Sequence, residues 1–135
     1  MKLTTHSEYG LLALLYICRS SKNEKELIPL SEIAKAQKLP RKYMEHLMRA
    51  MCRNGYLVSG RGKNGGYRLS RPANTVSVAE IVRLFDGPLA PTGSVSRYFY
   101  KPTPIEKEKK LLGLMRDIRD LIAKKLENTT VADMC

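Results

Sequence analysis

The chain of 135 residues predicts a mainly α fold with a small β wing: a winged helix-turn-helix followed by a long C-terminal dimerisation helix. Three observations carry this. Two helical patterns between Ser31 and Asn54 are separated only by Lys38-Leu39-Pro40. A basic, glycine-rich hairpin, Arg61-Gly62-Lys63-Asn64-Gly65-Gly66-Tyr67-Arg68-Leu69, follows directly, and helix pair plus hairpin is the winged pattern. From Thr103 onward a wide apolar stripe runs along one helix, broader than a single small domain needs to cover it.

The elements follow in order. Thr5, with Glu8 three residues on, suits a capping box at the start of the first helix. Leu11, Leu12, Leu14, Leu15, Ile17 and Cys18 then make that helix too apolar for the surface, so it is expected in the core. Residues 20–29 read as a polar loop ending in a short extended piece. Ser31 is the expected cap of a short helix, Glu32 to Gln37, with Ile33 and Ala34 inward. Pro40 suits the first turn of the next helix, Arg41 to Asn54, because its fixed φ is already helical. On it Tyr43, Leu47, Ala50 and Met51 form the expected inner stripe, and Lys42, Glu45, His46, Arg49 and Arg53 the outer face. Asn64-Gly65 is a strong signal for a two-residue type I′ turn, which requires positive φ at both central positions.

Ser77-Val78-Ala79-Glu80 is a second capping box; its helix should end at Asp86-Gly87-Pro88. Residues 86–103 contain Pro88, Pro91 and Pro102 and read as an irregular loop. Thr103-Pro104-Ile105-Glu106 combines a cap, a first-turn proline and a capping box, predicting a helix to about Glu127, roughly 36 Å long at ~1.5 Å per residue. Its apolar residues, Leu111, Leu114, Met115, Ile118, Leu121 and Ile122, are the expected dimerisation surface; packing only on the chain's own first helix is the alternative. Thr129 or Thr130 would cap a last short turn. The expected organisation is 1–85 as the winged domain, 86–103 as a sensor-type loop and 104–135 as dimerisation helix and tail, compact as a whole.

Charge narrows the function. The 24 Lys and Arg against 13 Asp and Glu leave +11. Residues 31–71 alone hold ten basic residues against Glu32 and Glu45, giving +8. Cations so concentrated favour a polyanion, because neutralised phosphates release counterions. Double-stranded DNA is the leading partner. No apolar run reaches the ~18–20 residues that span a bilayer, and no leader pattern is evident; a cytoplasmic protein without membrane contact is expected. Cys18, Cys52 and Cys135 are odd in number and far apart, which suggests reduced thiols and not a disulfide framework. An enzyme finds little support. His6 and His46 have no evident catalytic or metal-ligand partners, and Gly62 to Gly66 lacks Walker spacing.

Several blocks together resemble the Rrf-two family of bacterial winged-helix repressors, the group that includes the IscR, NsrR and CymR regulators. They are the opening run around Ser7-Glu8-Tyr9-Gly10-Leu11, then Tyr43-Met44-Glu45-His46-Leu47 with Arg53-Asn54-Gly55-Tyr56-Leu57-Val58-Ser59. The wing from Arg61 to Leu69, the run Val76 to Val82, and Asp86-Gly87-Pro88-Leu89-Ala90-Pro91 complete them. The resemblance covers nearly the whole chain. It implies a homodimer on a roughly palindromic operator, with half-sites about a helical turn or a multiple apart.

By that resemblance Glu45 matches a position that contacts a base, and a carboxylate can accept from cytosine N4. Arg61 and Gly62 match wing positions that enter the minor groove, where an arginine senses width and potential. Arg49, Arg53 and Lys63 suit phosphate contacts, which position without specifying sequence. With Arg41, Lys42, His46 and Gly65 these form the candidate DNA-binding set. Many relatives hold an iron–sulfur cluster on three cysteines in the loop after Asp-Gly-Pro. Here no cysteine lies between Cys52 and Cys135; Ser94 and Thr103 stand near two of those places, and hydroxyls do not replace thiolates. No cofactor is therefore expected. The open candidates for a signal are a small molecule near Arg97, Tyr98, Phe99, Tyr100 and Lys101, a thiol change or a protein effector; a dimer-contact loop is an equal reading of that run. The alternative function is a winged-helix adaptor or a non-specific nucleic-acid binder.

Overall fold

The structure, a computed structural model, describes residues 1–135. Six α-helices and one two-stranded sheet appear in the order α1 (Thr5–Ser20), α2 (Leu30–Gln37), α3 (Arg41–Arg53), β1 (Leu57–Gly60), β2 (Gly66–Leu69), α4 (Val78–Asp86), α5 (Lys109–Glu127) and α6 (Val131–Met134). Short 3-10 turns occupy Ala73–Thr75, Gly93–Val95 and Pro104–Lys107. The mainly α fold with a small β wing is as expected, and no helix is long and apolar enough to cross a membrane.

The chain divides into two compact units: Glu8–Val76 with Thr130–Cys135, and Met1–Ser7 with Ser77–Thr129. The main division thus falls at Val76/Ser77, ahead of the expected boundary at 85.

In the unit built on Glu8–Val76, Ala13, Leu14 and Ile17 of α1, Ile33 and Ala34 of α2, and Met44, Leu47, Met48 and Met51 of α3 are buried. The inner stripe of α3 is therefore Met44-Leu47-Met48-Met51, at i, i+3, i+4 and i+7. Tyr43, expected inward, is 53% exposed, because it falls about one residue's rotation, roughly 100°, off that stripe. Ser31 does not cap α2: the helix starts at Leu30, and the Pro29 carbonyl accepts from Glu32 N (3.1 Å) and Ile33 N (3.2 Å). Pro40 stands just before α3 as its N-cap, one place earlier than the first helical turn. Lys38 closes α2 in the left-handed region (φ 54°, ψ 46°), its N–H reaching the carbonyls of Ala34 and Lys35, an αL termination usually given to glycine.

Strands β1 and β2 pair antiparallel, from Leu57 opposite Leu69 to Gly60 opposite Gly66. That register leaves five connecting residues, Arg61 to Gly65, so a two-residue type I′ turn at Asn64-Gly65 does not form. Gly62 (φ 93°) and Gly66 (φ 152°) take the positive φ, while Asn64 and Gly65 do not. Gly65 N donates to Gly62 O (3.0 Å), closing a tight turn at the wing tip. The extended piece before α2 joins the wing: Ile28 and Tyr67 exchange both backbone hydrogen bonds (2.8 and 2.9 Å).

The C-terminal α6 belongs to this unit. Thr130 accepts from Asp133 N (3.2 Å) while Asp133 accepts from Thr130 N (2.8 Å), a complete capping box. These bonds hold the Asp133 carboxyl below its usual range, the backbone one foremost. Val131 is buried, and its N–H donates to Val76 O (2.9 Å). Cys18 and Cys135 are bonded to each other, Cα–Cα 6.1 Å, which corrects the expectation of three separate reduced thiols. Only Cys52 is free.

In the other unit, the cap of α1 is Thr4 and not Thr5. The Thr4 hydroxyl accepts from Ser7 N (3.4 Å) and donates to Asp86 Oδ1, and the buried Ser7 hydroxyl donates to Asp86 Oδ2 (2.6 Å). Glu8 is consequently outside a capping box and exposed. The Ser77–Glu80 capping box forms as expected (3.1 and 2.8 Å). The expected start of the long helix at Pro104 is a 3-10 turn instead; Glu108 leaves the helical conformation (φ -106°, ψ 89°) and α5 begins at Lys109. Its 19 residues span roughly 28 Å at ~1.5 Å per residue, shorter than the sequence suggested. Thr103 does not cap, because its hydroxyl is committed elsewhere, as described below.

Candidate nucleic-acid interface

Burying Met44, Leu47, Met48 and Met51 turns the opposite side of α3 to solvent. Arg41, Lys42, Glu45, His46, Arg49 and Arg53 are all exposed. Arg41, Glu45 and Arg49, at steps of four, face the wing across a groove of about 530 Å³. Arg61, Gly62, Lys63 and Gly65 line its other side. The structure thus brings together seven of the expected residues, drawn from α3 and the wing, on one concave surface. Lys42, His46 and Arg53 do not line the groove and lie on the neighbouring exposed stripe of α3.

The backbone explains how the wing reaches this position. The Ile28–Tyr67 bridge fixes the strand that carries Tyr67, and a Cβ on Gly66 would meet the Ile28 carbonyl. A Cβ on Gly65 would stand 2.5 Å from Gly60 O, so the tip is held tight. Gly62 has open space around its Cβ position; only its φ asks for glycine.

Tyr67 and Cys52 line the groove as well, which the sequence reading did not foresee. Burial pushes the Tyr67 hydroxyl above its usual range, with Cys52 and Glu45 adding to the rise and Arg49 opposing it. Burial also pushes the Cys52 thiol up, against a contact with the Ser59 side chain that lowers it. Both therefore stay neutral and offer weak polar contacts to a groove otherwise governed by Arg41, Arg49, Arg61, Lys63 and the single carboxylate of Glu45. Pro29, Leu30 and Ser31 also line this groove; nothing in the local pattern around Ser31 signals it.

The remaining candidates lie in the other unit. Arg97, Tyr98, Phe99, Tyr100 and Lys101 are exposed. The Arg83 guanidinium stacks on Tyr98 (4.9 Å) and pairs with Glu127 (2.6 Å), while Arg97 stands 3.7 Å from Asp120. Tyr100 donates to Glu106 (2.5 Å), which raises the phenol above its usual range. The cavity bordered by Arg83, Tyr98, Phe99 and Arg119 is only about 10 Å³, room for about one water. On α5, Leu111, Leu114 and Leu121 are exposed, Leu121 at 72%. Met115, Ile118 and Ile122 are half-buried.

The loop where the resemblance implies a cluster is closed by hydroxyls. Ser94 Oγ lies 2.5 Å from Thr103 Oγ1 and accepts from Thr103 N (2.9 Å), and Thr92 Oγ1 lies 3.4 Å from Thr103 Oγ1. No group of three or more His, Cys, Asp or Glu side chains is placed to hold a metal ion. These residues do not fit an iron–sulfur cluster, whose irons require thiolate-type ligands.

Comparison with known proteins agrees with this architecture. The Rrf2 family, described as iron-dependent transcriptional regulators, matches residues 3–135. An rrf2-like protein of helix-turn-helix regulator type from Rhodobacter capsulatus is 34% identical over 101 residues, 74% of this chain and 67% of the relative. The structure of CymR, the global cysteine regulator of B. subtilis, superposes with a TM-score of 0.78 at 27% identity, covering 99% of this chain and 95% of that one. Oxidized CymR of Staphylococcus aureus gives 0.69 at 31% identity, over 99% and 95%. A basic helix facing a glycine-rich wing, within a family match that spans nearly every residue, places this chain among the DNA-binding transcriptional regulators of the Rrf2 family and not among enzymes.

Proposed function

We propose that this protein is a homodimeric repressor that reads a roughly palindromic operator without an iron–sulfur cluster. The observation that carries the reading is the groove shared by Arg41, Glu45 and Arg49 of α3 and Arg61 and Lys63 of the wing. In it α3 takes the major groove, where Glu45 accepts from cytosine N4. Arg61 and Gly62 take the adjacent minor groove, and Arg41, Lys42, His46, Arg49, Arg53 and Lys63 contact phosphates and sugars. Gly65 keeps the wing tip narrow enough to enter.

The exposed Leu111, Leu114 and Leu121 of α5 support the dimer, with Met115, Ile118 and Ile122 completing the face. A tiny cavity beneath Tyr98 and Phe99 favours a contact between copies over a small-molecule site at Arg97–Lys101. The hydroxyl closure of Ser94 and Thr103 supports regulation without iron.

The test is selection of binding sites from random DNA at near-physiological salt, with wild type and Glu45→Ala. Wild type should recover a palindrome with half-sites about a helical turn apart or a multiple of it. Glu45→Ala should relax preference at one base pair per half-site by ~1–3 kcal/mol. Recovery of no preferred sequence would reject the specific-regulator reading in favour of non-specific binding or an adaptor.

A further inference from the structure

We propose that Cys18 and Cys135 form a thiol–disulfide exchange site for a low-molecular-weight thiol bearing a carboxylate, seated in the cleft beside Arg68 and Arg71. Cys18 forms part of the wall of a cleft of about 430 Å³, whose other walls include Arg68, Arg71, Asn23 and Glu24. That volume is in the range of small-ligand sites. The two guanidiniums suit a carboxylate, and Glu24 offers an ammonium group a partner. Both arginines are held in place: Arg68 Nη1 donates to Leu69 O (3.3 Å), and Arg71 stacks on Tyr56 (5.2 Å).

The pair is also organised for exchange independently of its own bond. The Thr130–Asp133 capping box, the Val131–Val76 hydrogen bond, and donation from Arg19 Nη2 to Met134 O (3.2 Å) keep α6 beside α1. Reduced sulfurs therefore remain neighbours. Cys18 is half-buried and Cys135 exposed, so small reagents reach both. Cys52 lies in the other groove, with its thiol pushed up by burial, and takes no part.

The reaction balances with an external disulfide, RSSR, as oxidant. The Cys18 thiolate attacks one sulfur of RSSR and the S–S bond of RSSR breaks; the other half leaves as RS⁻ and takes up the proton as RSH, giving a mixed disulfide on Cys18. The Cys135 thiolate then attacks the Cys18 sulfur and expels the second RSH. Two protein thiols are oxidised, and one disulfide is reduced to two thiols. An excess of RSH drives the same steps backward.

The experiment uses the full reduced chain with oxidised glutathione or cystamine, in salt high enough to screen the net +11 charge, followed by intact-mass and peptide mapping. Wild type should lose two hydrogens and show a Cys18–Cys135 crosslink. Cys135→Ser should accumulate the glutathione adduct on Cys18. Glutathione disulfide should react about tenfold faster than cystamine, the equivalent of ~1.4 kcal/mol, and the Arg68→Ala/Arg71→Ala pair should abolish that preference while leaving cystamine unchanged. On the unmodified chain, S-methylglutathione, which has the carboxylates but no exchangeable sulfur, should slow the reaction. Equal rates for the two disulfides, adducts on Cys52 in place of Cys18, or no protection by S-methylglutathione would each overturn the proposal.

Discussion

Gly66→Ala should detach the wing from its anchor, and the structure sets the size of the effect. Gly66 has φ 152°, where a non-glycine residue costs about 1–3 kcal/mol. The new Cβ would also run into the Ile28 carbonyl. That oxygen is backbone, held by the 2.9 Å bond from Tyr67 N while Ile28 N donates to Tyr67 O (2.8 Å), so relief means giving up the whole bridge, both bonds, at about 1 kcal/mol each. The total is about 3–5 kcal/mol, or a fall in Tm of about 10–15 °C at about 3 °C per kcal/mol for a chain of this size. Gly62→Ala is the internal control. Its φ is 93° with nothing near the added Cβ, so it should cost about 1–2 kcal/mol. Thermal denaturation of the two variants by circular dichroism separates strain alone from strain plus collision. A Gly66→Ala melting point within about 2 °C of Gly62→Ala would refute the argument that the Ile28 carbonyl confines the wing.

Lys38→Gly should stabilise the chain by about 0.5–1 kcal/mol in urea denaturation, because relief of the left-handed strain exceeds the added chain entropy; no gain would mean that this turn relaxes on its own. Arg49→Ala should make the slope of log K against log salt shallower by about 1.8 for a dimer, at ~0.9 per lost phosphate contact, and an unchanged slope would remove Arg49 from the phosphate set. Leu114→Glu with Leu121→Glu should yield a monomer by light scattering, since charge replaces two apolar contacts worth about 1.5–3 kcal/mol each when buried. Cys52 should alkylate more slowly than in the unfolded chain near neutral pH, because a raised pKa leaves less thiolate, and the gap should close as pH rises; equal rates at neutral pH would contradict its burial.

What the sequence disclosed were features decided within a few residues. The Ser77–Glu80 box, a threonine cap on the last short turn (Thr129 or Thr130, of which Thr130 caps), the stop at Asp86-Gly87, and the exposure of Arg41, Lys42, Glu45, His46, Arg49 and Arg53 are of this kind. So are the two wing strands, although their turn is not. The choice of Thr4 over Thr5 as cap depends on Asp86, 82 positions away, and both hydroxyls look alike locally. Asn64-Gly65 carried a true turn propensity that the register of Gly60 and Gly66 overrode. Thr103-Pro104-Ile105-Glu106 held every mark of a helix start, yet Thr103 is bonded to Ser94 and Glu106 to Tyr100. An aromatic such as Tyr43 on a helix resembles core, yet four methionine and leucine side chains already fill that stripe and leave it outside. Nothing in the spacing of Cys18 and Cys135, separated by 117 positions, suggested that they meet.

The hydroxyl closure of residues 92–103 sets how that segment is held. Two or three such bonds are worth about 1 kcal/mol each in net terms, about 2–3 kcal/mol of closure between them. Metal ligation, at ~10 kcal/mol or more for a structural zinc, would hold such a segment shut for far longer. Here the backbone bonds of Ser96 and Lys101 to Gly93 (3.2 and 3.0 Å) add to the hydroxyl contacts. Whatever contacts Tyr98, Phe99 and Tyr100 meets a loop latched by neutral hydroxyl and backbone groups, a closure that neither pH near neutrality nor salt should loosen.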